Sequence, residues 1–269
     1  TNANYGALFP PALIGSLTAY SNYCVATGLF LSPALQQQKS AAEFIKGLME
    51  NTNSAIFFSE GLLKVVPYGD QTVTANGATF IPVITPLYDL TDDDFLHESG
   101  KDPISMTRTA PSDAYNWVKI EFIDRALDYN ISIAEAWDQA NTDVYARRPA
   151  STKTLHDICD ATVARTVAQL QLQRLLYIRN TYQFKLGAKY LLLEPMDVIT
   201  LTDAALGLNK AQVRITDVEW DEKYEATVDV EEFPFGTATN AVYSSQGGSG
   251  YNVNYNTAAP NANAPVIFD

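Results

Sequence analysis

Tyr115-Asn-Trp-Val-Lys-Ile-Glu-Phe-Ile-Asp124 is the stretch of sequence on which the interpretation of the fold rests. Two rows of side chains alternate along it, one with Trp117, Lys119 and Glu121 and the other with Val118, Ile120 and Phe122. A repeat of two residues is typical of a β-strand with one face against a core. We therefore predict a strand over residues 115–124.

The segments after this strand predict two inserted helices and then more strands. Ala-rich residues 132–145 and the longer segment 154–179 place apolar residues at helical spacing. Short apolar runs bounded by turn-forming residues then predict a meander of four strands, over 181–186, 197–202, 212–220 and 226–232. This order predicts an α+β fold, with small antiparallel β-barrel-like domains that carry inserted amphipathic helices.

The segments before the strand predict a helix followed by hairpins. Residues 33–51 show helical spacing, and Ser32 is placed to act as the N-cap. Two hairpins are then predicted to turn at Glu60-Gly61 and at Asn76-Gly77, because such pairs favour the tight turns that join neighbouring strands.

The chain divides into three predicted parts. Residues 1–110 form an α+β domain built from helix 33–51 and the hairpins, and residues 111–236 form a barrel-like domain with a helical insertion over 131–179. From residue 237 to residue 269 the composition falls to Asn, Ala, Ser, Gly, Thr and Tyr, which cannot build a core. We predict a low-complexity linker or arm there.

Charge and composition exclude several classes of function. Thirty-one acidic against 18 basic residues give a net charge of −13, which repels phosphate backbones and anionic lipid surfaces. No apolar run is long enough for a membrane segment, and the start of the chain lacks a signal peptide. Cys24 and Cys159 are interpreted as buried thiols. Because the chain begins at Thr1, we expect it to be a piece of a longer polypeptide.

The sequence offers little from which to build a catalytic or metal centre. His97 and His156 are its only histidines, and no phosphate-binding glycine loop or Cys-x-x-Cys pair occurs. His156-Asp157-Ile158-Cys159-Asp160 is interpreted as the start of a helix, with carboxylates at its positive end. Asp92-Asp93-Asp94 lacks the ligand spacing of a calcium loop and is interpreted as a solvated turn. We therefore predict no catalytic residues, no metal and no cofactor.

Several stretches resemble the tail-tip hub family of phages, which is related to the host-specificity and baseplate hub proteins of siphophages and gene transfer agents. They are residues 23–33, 59–67, 113–122, 177–186, 193–203, 213–216 and 231–234. The resemblance implies a structural protein of the virion and no catalytic residues in this region. It also implies a homotrimeric hub that joins the tail tube, or a distal tail protein, to the tip or its fibre proteins. DNA would pass through the lumen of such a hub only in transit, at ejection.

Channel-lining acidic residues are a hypothesis that combines this resemblance with the charge. Asp92, Asp93, Asp94, Asp221 and Glu222 are predicted to line or flank the channel, so that passing DNA is repelled and does not adhere.

Two other functions stay open at this point. A carboxylate glycosidase or peptidoglycan hydrolase would need two acids facing each other across a cleft, and 31 acidic residues leave that possible. A carbohydrate-binding adhesin would need an exposed aromatic platform, for which Tyr243, Tyr251 and Tyr255 are the candidates in the arm.

Overall fold

The residues that the structure describes include four α-helices and thirteen strands. It is a computed structural model that describes residues 9–34, 40–97 and 100–238. The helices are α1 (Thr18–Thr27), α2 (Ala41–Asn51), α3 (Gln139–Tyr145) and α4 (Ala161–Tyr177). The strands are β1 (Ser54–Ser59), β2 (Leu62–Pro67), β3 (Val73–Ala75), β4 (Ala78–Phe80), β5 (Asp89–Leu90), β6 (Ser105–Arg108), β7 (Trp117–Asp124), β8 (Asn130–Trp137), β9 (Lys153–Thr154), β10 (Asn180–Leu186), β11 (Val198–Asp203), β12 (Leu208–Trp220) and β13 (Ala226–Glu232).

The largest sheet has six strands in the order β5-β11-β12-β13-β10-β6. β5 runs parallel to β11, and the other neighbours are antiparallel. Its core includes apolar residues from five strands: Leu90, Phe184, Ile199, Ile215 and Val228 are examples, one from each. β-Branched and aromatic side chains favour such a pleated, buried surface, so the predicted strands of this region are confirmed.

A second sheet holds the strand from which the interpretation began. β7 lies between β8 and β9, and α4 packs on one face of β7 and β8. Val118, Ile120 and Phe122 point toward α4 and are buried, as the two-residue alternation predicts. Asp160 begins the helix as N-cap, since its carboxylate accepts hydrogen bonds from the backbone N–H groups of Thr162 and Val163.

The two hairpins turn where the sequence predicts. Glu60-Gly61 and Asn76-Gly77 all have positive φ, as type I′ turns require. Gly69 serves another purpose, because a Cβ there would lie 2.8 Å from the ring of Tyr23 and 2.9 Å from that of Phe80. These two rings meet edge to face, with centroids 4.9 Å apart, so Gly69 lets the backbone pass beside them.

The helix predicted over residues 132–145 is wrong in its first half. Residues 130–137 form β8, which pairs with all eight residues of β7, and only α3 follows as a helix. The Ala residues that favour a helix instead alternate with exposed residues, since Ala134 and Ala136 are buried between exposed neighbours. Pairing with a long neighbouring strand outweighs the weak intrinsic preference.

Helix boundaries also differ from the prediction. The helix predicted over 33–51 begins at Ala41, with Ser40 and not Ser32 as its N-cap, and residues 35–39 lie outside the described part. The helix predicted over 154–179 begins at Ala161, after the short strand β9. Sequence analysis missed α1, because its Tyr, Ser, Asn and Thr residues form no clear apolar stripe.

The α+β class is confirmed, whereas the predicted barrel is not. Within residues 9–34, 40–97 and 100–238 no sheet closes on itself, because the largest one ends in the separate edge strands β5 and β6. Both edge strands precede residue 110, so they join strands of the predicted second domain. The three-part division stays a prediction, and residues 239–269 of the predicted arm lie outside the described residues, with Tyr243, Tyr251 and Tyr255 among them.

The two cysteines, Cys24 and Cys159, are both free and half-buried. Burial raises the pKa of the Cys24 thiol to about 11. Among the described residues, none of the helices combines the length and apolar character needed to cross a bilayer.

Candidate assembly surface

The face of β7 and β8 that points away from α4 forms a surface of apolar and charged residues that is exposed along β8 and partly buried along β7. We call it the open face. Cross-strand pairing places its residues in rows across the two strands: Trp117 with Trp137, Lys119 with Glu135, Glu121 with Ile133, and Ile123 with Ile131. The alternation that buries one row against α4 necessarily turns this row outward.

Aromatic rings occupy one end of the open face. Trp117 and Trp137 stack with centroids 5.0 Å apart, and the guanidinium of Arg147 lies 3.6 Å from the centroid of the Trp117 ring. Trp117 is buried by these contacts, whereas Trp137 is half-exposed. The side chain of Trp137 can therefore contact a partner without rearrangement of its neighbours.

Charged pairs and aliphatic side chains fill the rest of the open face. Lys119 Nζ lies 3.4 Å from Glu135 Oε1. Beyond this pair, Ile131 is 63% exposed and Ile133 58% exposed. Large apolar side chains this exposed, side by side on one face of a strand, are typical of surfaces that bind a partner.

Asp92, Asp93 and Asp94 form a short 3₁₀ turn between β5 and β6. Asp92 and Asp93 are exposed, which agrees with the predicted acidic turn. Asp94 instead accepts hydrogen bonds from the Tyr190 hydroxyl, from Lys189 Nζ at 3.1 Å and from the backbone N–H of Thr91 at 3.0 Å. These donors lower its pKa to about 2, with the Tyr190 hydroxyl as the largest cause.

Asp221 and Glu222 begin the turn between β12 and β13 and are both exposed. Asp221 accepts hydrogen bonds from the backbone N–H groups of Lys223 and Glu225, at 2.8 and 2.9 Å. The Glu225 N–H is the main cause that lowers the pKa of Asp221. Much of this carboxylate's role is therefore to hold the turn.

The two acidic turns lie at one end of the six-stranded sheet. Phe95, next to the first turn, bridges to Leu186, the last residue of β10. On the other side, Leu186 pairs with Ala226, which pairs with Trp220 beside the second turn. The structure thus brings together two acidic segments that are more than a hundred residues apart in sequence.

The cluster at residues 156–160 does not form a ligand set. His156 Nε2 lies 3.1 Å from Glu121, and Asp157 accepts a hydrogen bond from the Asn51 side chain at 2.7 Å. Asp160 caps α4, as described above. Within the described residues, no group of three or more His, Cys, Asp or Glu side chains could hold a metal ion.

A cluster of buried and half-buried charged and aromatic side chains connects the first hairpin, α4 and the six-stranded sheet, and we call it the joint. Tyr68 follows β2, and the guanidiniums of Arg174 and Arg214 lie 4.0 and 5.3 Å from the centroid of its ring. Glu231 accepts a hydrogen bond from Arg174 at 2.8 Å. Burial lowers the pKa of Arg214 to about 10, while the charge of Glu231 opposes that shift. The first hairpin, α4 and the six-stranded sheet all meet here.

Asp70 fixes the chain beside the joint. Its buried carboxylate accepts hydrogen bonds from the backbone N–H groups of Gly236, Thr237 and Ala238, at 2.6 to 3.3 Å. Three hydrogen bonds to one side chain hold residues 236–238 against Asp70. The position at which the predicted arm leaves the body is therefore defined.

Besides the joint and the contacts of Asp70, an ion pair connects the first hairpin to the six-stranded sheet. Lys64 Nζ lies 2.8 Å from both carboxylate oxygens of Glu194, and Ser59 Oγ donates to the same carboxylate. Asp197 accepts a hydrogen bond from the backbone N–H of Glu194, and burial raises the pKa of Asp197. Both acids line a cavity of about 250 Å³.

Residues 40–218, more than half of the chain, match the profile of a family described as "Putative phage tail protein". The chain belongs to this family of phage tail proteins. The resemblance to phage tail proteins is confirmed, and the protein is located in the virion tail. Its role is structural, as part of the tail.

Solved structures resemble this phage tail protein in fold. A chain from the virion of a native gene transfer agent particle superposes with a TM-score of 0.58 and 14% identity, covering 91% of this chain and 56% of that one. A 43 kDa prophage tail protein from Shewanella oneidensis has a TM-score of 0.44 and 14% identity, covering 74% of this chain and 54% of its own. A tail protein from Neisseria meningitidis has a TM-score of 0.44 and 11% identity, with coverages of 71% and 54%.

The tail protein spans little more than half the length of these solved structures. No curated protein matches it. Sequence analysis missed the joint and the open face of the tail protein. Arg214 lies between Val213 and Ile215, and these three consecutive residues of β12 are all buried. An arginine between two β-branched apolar residues was the available signal for a buried ion cluster.

Proposed function

We propose that this phage tail protein is a hub-like component of the tail tip. In this proposal it assembles as a homotrimer, connects the tail tube or a distal tail protein to the tip and its fibre proteins, and surrounds the path of the DNA. The exposed apolar residues of the open face carry the proposal, because a rigid body with an unpartnered sheet face is suited to assembly. The gene transfer agent chain of similar fold comes from a virion, which agrees with a structural role in a particle.

Rigidity is the property that the joint would supply to a hub. A hub transmits force between the tube and the tip, so its parts must keep fixed relative positions. Arg174, Arg214 and Glu231 connect a helix with two strands, and Tyr68 extends the connection to the first hairpin. The division into residues 1–110, 111–236 and 237–269 is part of the proposal, with Asp70 holding the start of the third part.

The channel is the finer part of the proposal. Asp92, Asp93, Asp221 and Glu222 are exposed at one end of the six-stranded sheet. If that end faces the axis of a ring, three copies present a collar of carboxylates to the DNA, which would raise the energy of close contact with phosphates. Asp94 belongs to the same turn and anchors it through Tyr190.

Electron microscopy of the purified chain tests the proposal. We expect images of a three-fold ring with a central opening, and a reconstruction in which the two acidic turns face that opening. Rings with these turns on the outer rim would contradict the proposed acidic lining of the channel, whereas the proposed trimeric hub would still hold. Particles without rotational symmetry would contradict the hub itself.

An enzymatic role has a weaker basis in the structure. A glycosidase needs one ionised and one protonated carboxyl group in a cleft. Asp197 has a raised pKa, but its carboxylate accepts a hydrogen bond from the Glu194 N–H, and the Glu194 carboxylate forms an ion pair with Lys64. Release of sugar fragments from peptidoglycan by the wild-type chain, lost in Glu194→Gln, would favour the hydrolase. Glycan affinity lost in Trp137→Ala would favour an adhesin.

A further inference from the structure

We propose that β8 of one copy pairs with β6 of the next, antiparallel, with Glu135 opposite Arg108 and Trp137 opposite Met106. This inference rests on the proposed homotrimer and names the strands that would build it. The partner is therefore a second copy of this chain, bound head to tail.

Both strands have a free edge within the described residues. β8 pairs with β7 on one side only, and β6 pairs with β10 on one side only. A free edge presents unpaired N–H and C=O groups that accept an added strand. β8 offers eight residues and β6 offers four, so β6 can lie fully within the length of β8.

The side chains of the two edges complement each other. Arg108 is the single charged residue of β6, and Glu135 is the single charged residue of β8. In the proposed register the two stand opposite, and Met106, which is 44% exposed, stands opposite Trp137, which is 49% exposed. A thioether against an indole ring is a favourable contact, and opposite charges at facing positions stabilise a strand pair.

The register also places the correct face of each strand on the same side. Ala134 and Ala136 are buried in their own sheet, so the row with Glu135 and Trp137 is the one that can contact a partner. On β6, Met106 pairs with Tyr182, which is buried in the core of the six-stranded sheet. An added β8 would therefore lay Trp137 over the exposed side of Met106 and extend the core.

A contact between two different edges of identical chains generates a ring when its rotation closes. The overall charge of −13 opposes association of identical chains, and the facing Arg108 and Glu135 remove that repulsion locally. Head-to-tail pairing thus places a basic residue of one copy, Arg108, next to an acidic residue of the other, Glu135.

Cysteine pairs test the register directly. Met106→Cys chains are mixed with Trp137→Cys chains under mild oxidation, and the linked peptides are identified by mass spectrometry. Ile133→Cys is the matched control, because Ile133 lies on the same strand, on the same face and with similar exposure. It would stand about 13 Å along the strand from the position opposite residue 106, too far for a disulfide. Wild-type chains measure the background from Cys24 and Cys159.

We expect links between residues 106 and 137 and none above background between residues 106 and 133. Equal linking at both positions, or none at either, would overturn the pairing. Charge reversal is the second measurement: Arg108→Glu and Glu135→Arg should each weaken association at least roughly ten-fold, and the double variant should restore it. If a trimer forms but residues 106 and 137 do not link, this interface is refuted and the proposed hub still holds. If the chain forms neither the link nor a trimer, both proposals are refuted.

Discussion

Glu231 accepts a hydrogen bond from Arg174 across 2.8 Å, and this contact joins α4 to the six-stranded sheet. Only 7% of the Glu231 side chain is exposed, and two arginines lie beside it: Arg174, and Arg214, which is the opposite residue on β12. Replacing either partner would leave a buried charge uncompensated.

We therefore expect Glu231→Ala to lower the free energy of unfolding by about 2–3 kcal/mol, below the range for a fully buried pair because Arg174 is one-third exposed. Urea unfolding measures this. Glu60→Ala is the control, since Glu60 is 68% exposed and its ion pair with Lys64 should contribute less than about 1 kcal/mol. Equal effects of the two substitutions would show that the joint is not a stabilising cluster.

Gly69 and Gly47 should respond in opposite directions to replacement by Ala. At Gly69 a Cβ meets the rings of Tyr23 and Phe80 at 2.8 and 2.9 Å, so we expect a loss of about 1–3 kcal/mol. At Gly47, within α2, a Cβ meets no atom within 4 Å, and a gain of up to about 1 kcal/mol is expected from helix propensity. Thermal unfolding of both variants checks the pair. A stable Gly69→Ala would mean that the two rings are not tightly packed.

Asp94 should make the stability of the chain depend on acid pH. Its pKa is lowered in the folded state from 3.8 to about 2, so its contribution is fully present above pH 3.8 and is lost as the pH falls toward 2. Asp94→Asn removes that contribution and should lower Tm by about 2–4 °C at pH 7. The difference between the two proteins should shrink between pH 5 and pH 2, within which the cited pKa values lie. A difference that is constant with pH would exclude an ionised Asp94 as the source.

Neutralising the exposed acidic turns should increase binding of DNA to the assembled protein. Asp92→Asn, Asp93→Asn, Asp221→Asn and Glu222→Gln together remove four of the thirteen net negative charges. If these residues flank the channel, DNA affinity should rise by more than it does when four carboxylates elsewhere on the surface are neutralised. Fluorescence anisotropy at low salt makes the comparison. An equal rise in DNA affinity in both variants would show that the two acidic turns have no special role in repelling DNA.

Local sequence determines much of this fold. Glu60-Gly61 and Asn76-Gly77 adopt positive φ, and the positions of both hairpins follow from that. The rows of β7 follow from its alternation in the same way, and Asp160 caps α4 because a carboxylate at this place satisfies free N–H groups.

Features that depend on distant residues could not be predicted in this way. β8 looks helical by its Ala content, yet Ile131 and Ile133 already alternate with smaller residues, and pairing with β7 decides its structure. The joint combines Tyr68 with Arg174 and residues of β12 and β13, and no local pattern states that these side chains meet. The two acidic turns likewise become neighbours only through the order of strands in the sheet.

The solution mass of the chain tests the central claim most directly. Light scattering is measured over a series of concentrations, in about 0.3 M salt so that the charge of −13 is screened within a few ångströms. The proposed hub predicts a mass that rises with concentration to three times that of one chain, 29.5 kDa, and no further. A mass that stays at one chain over the whole series, or that stops at two, would contradict the homotrimer.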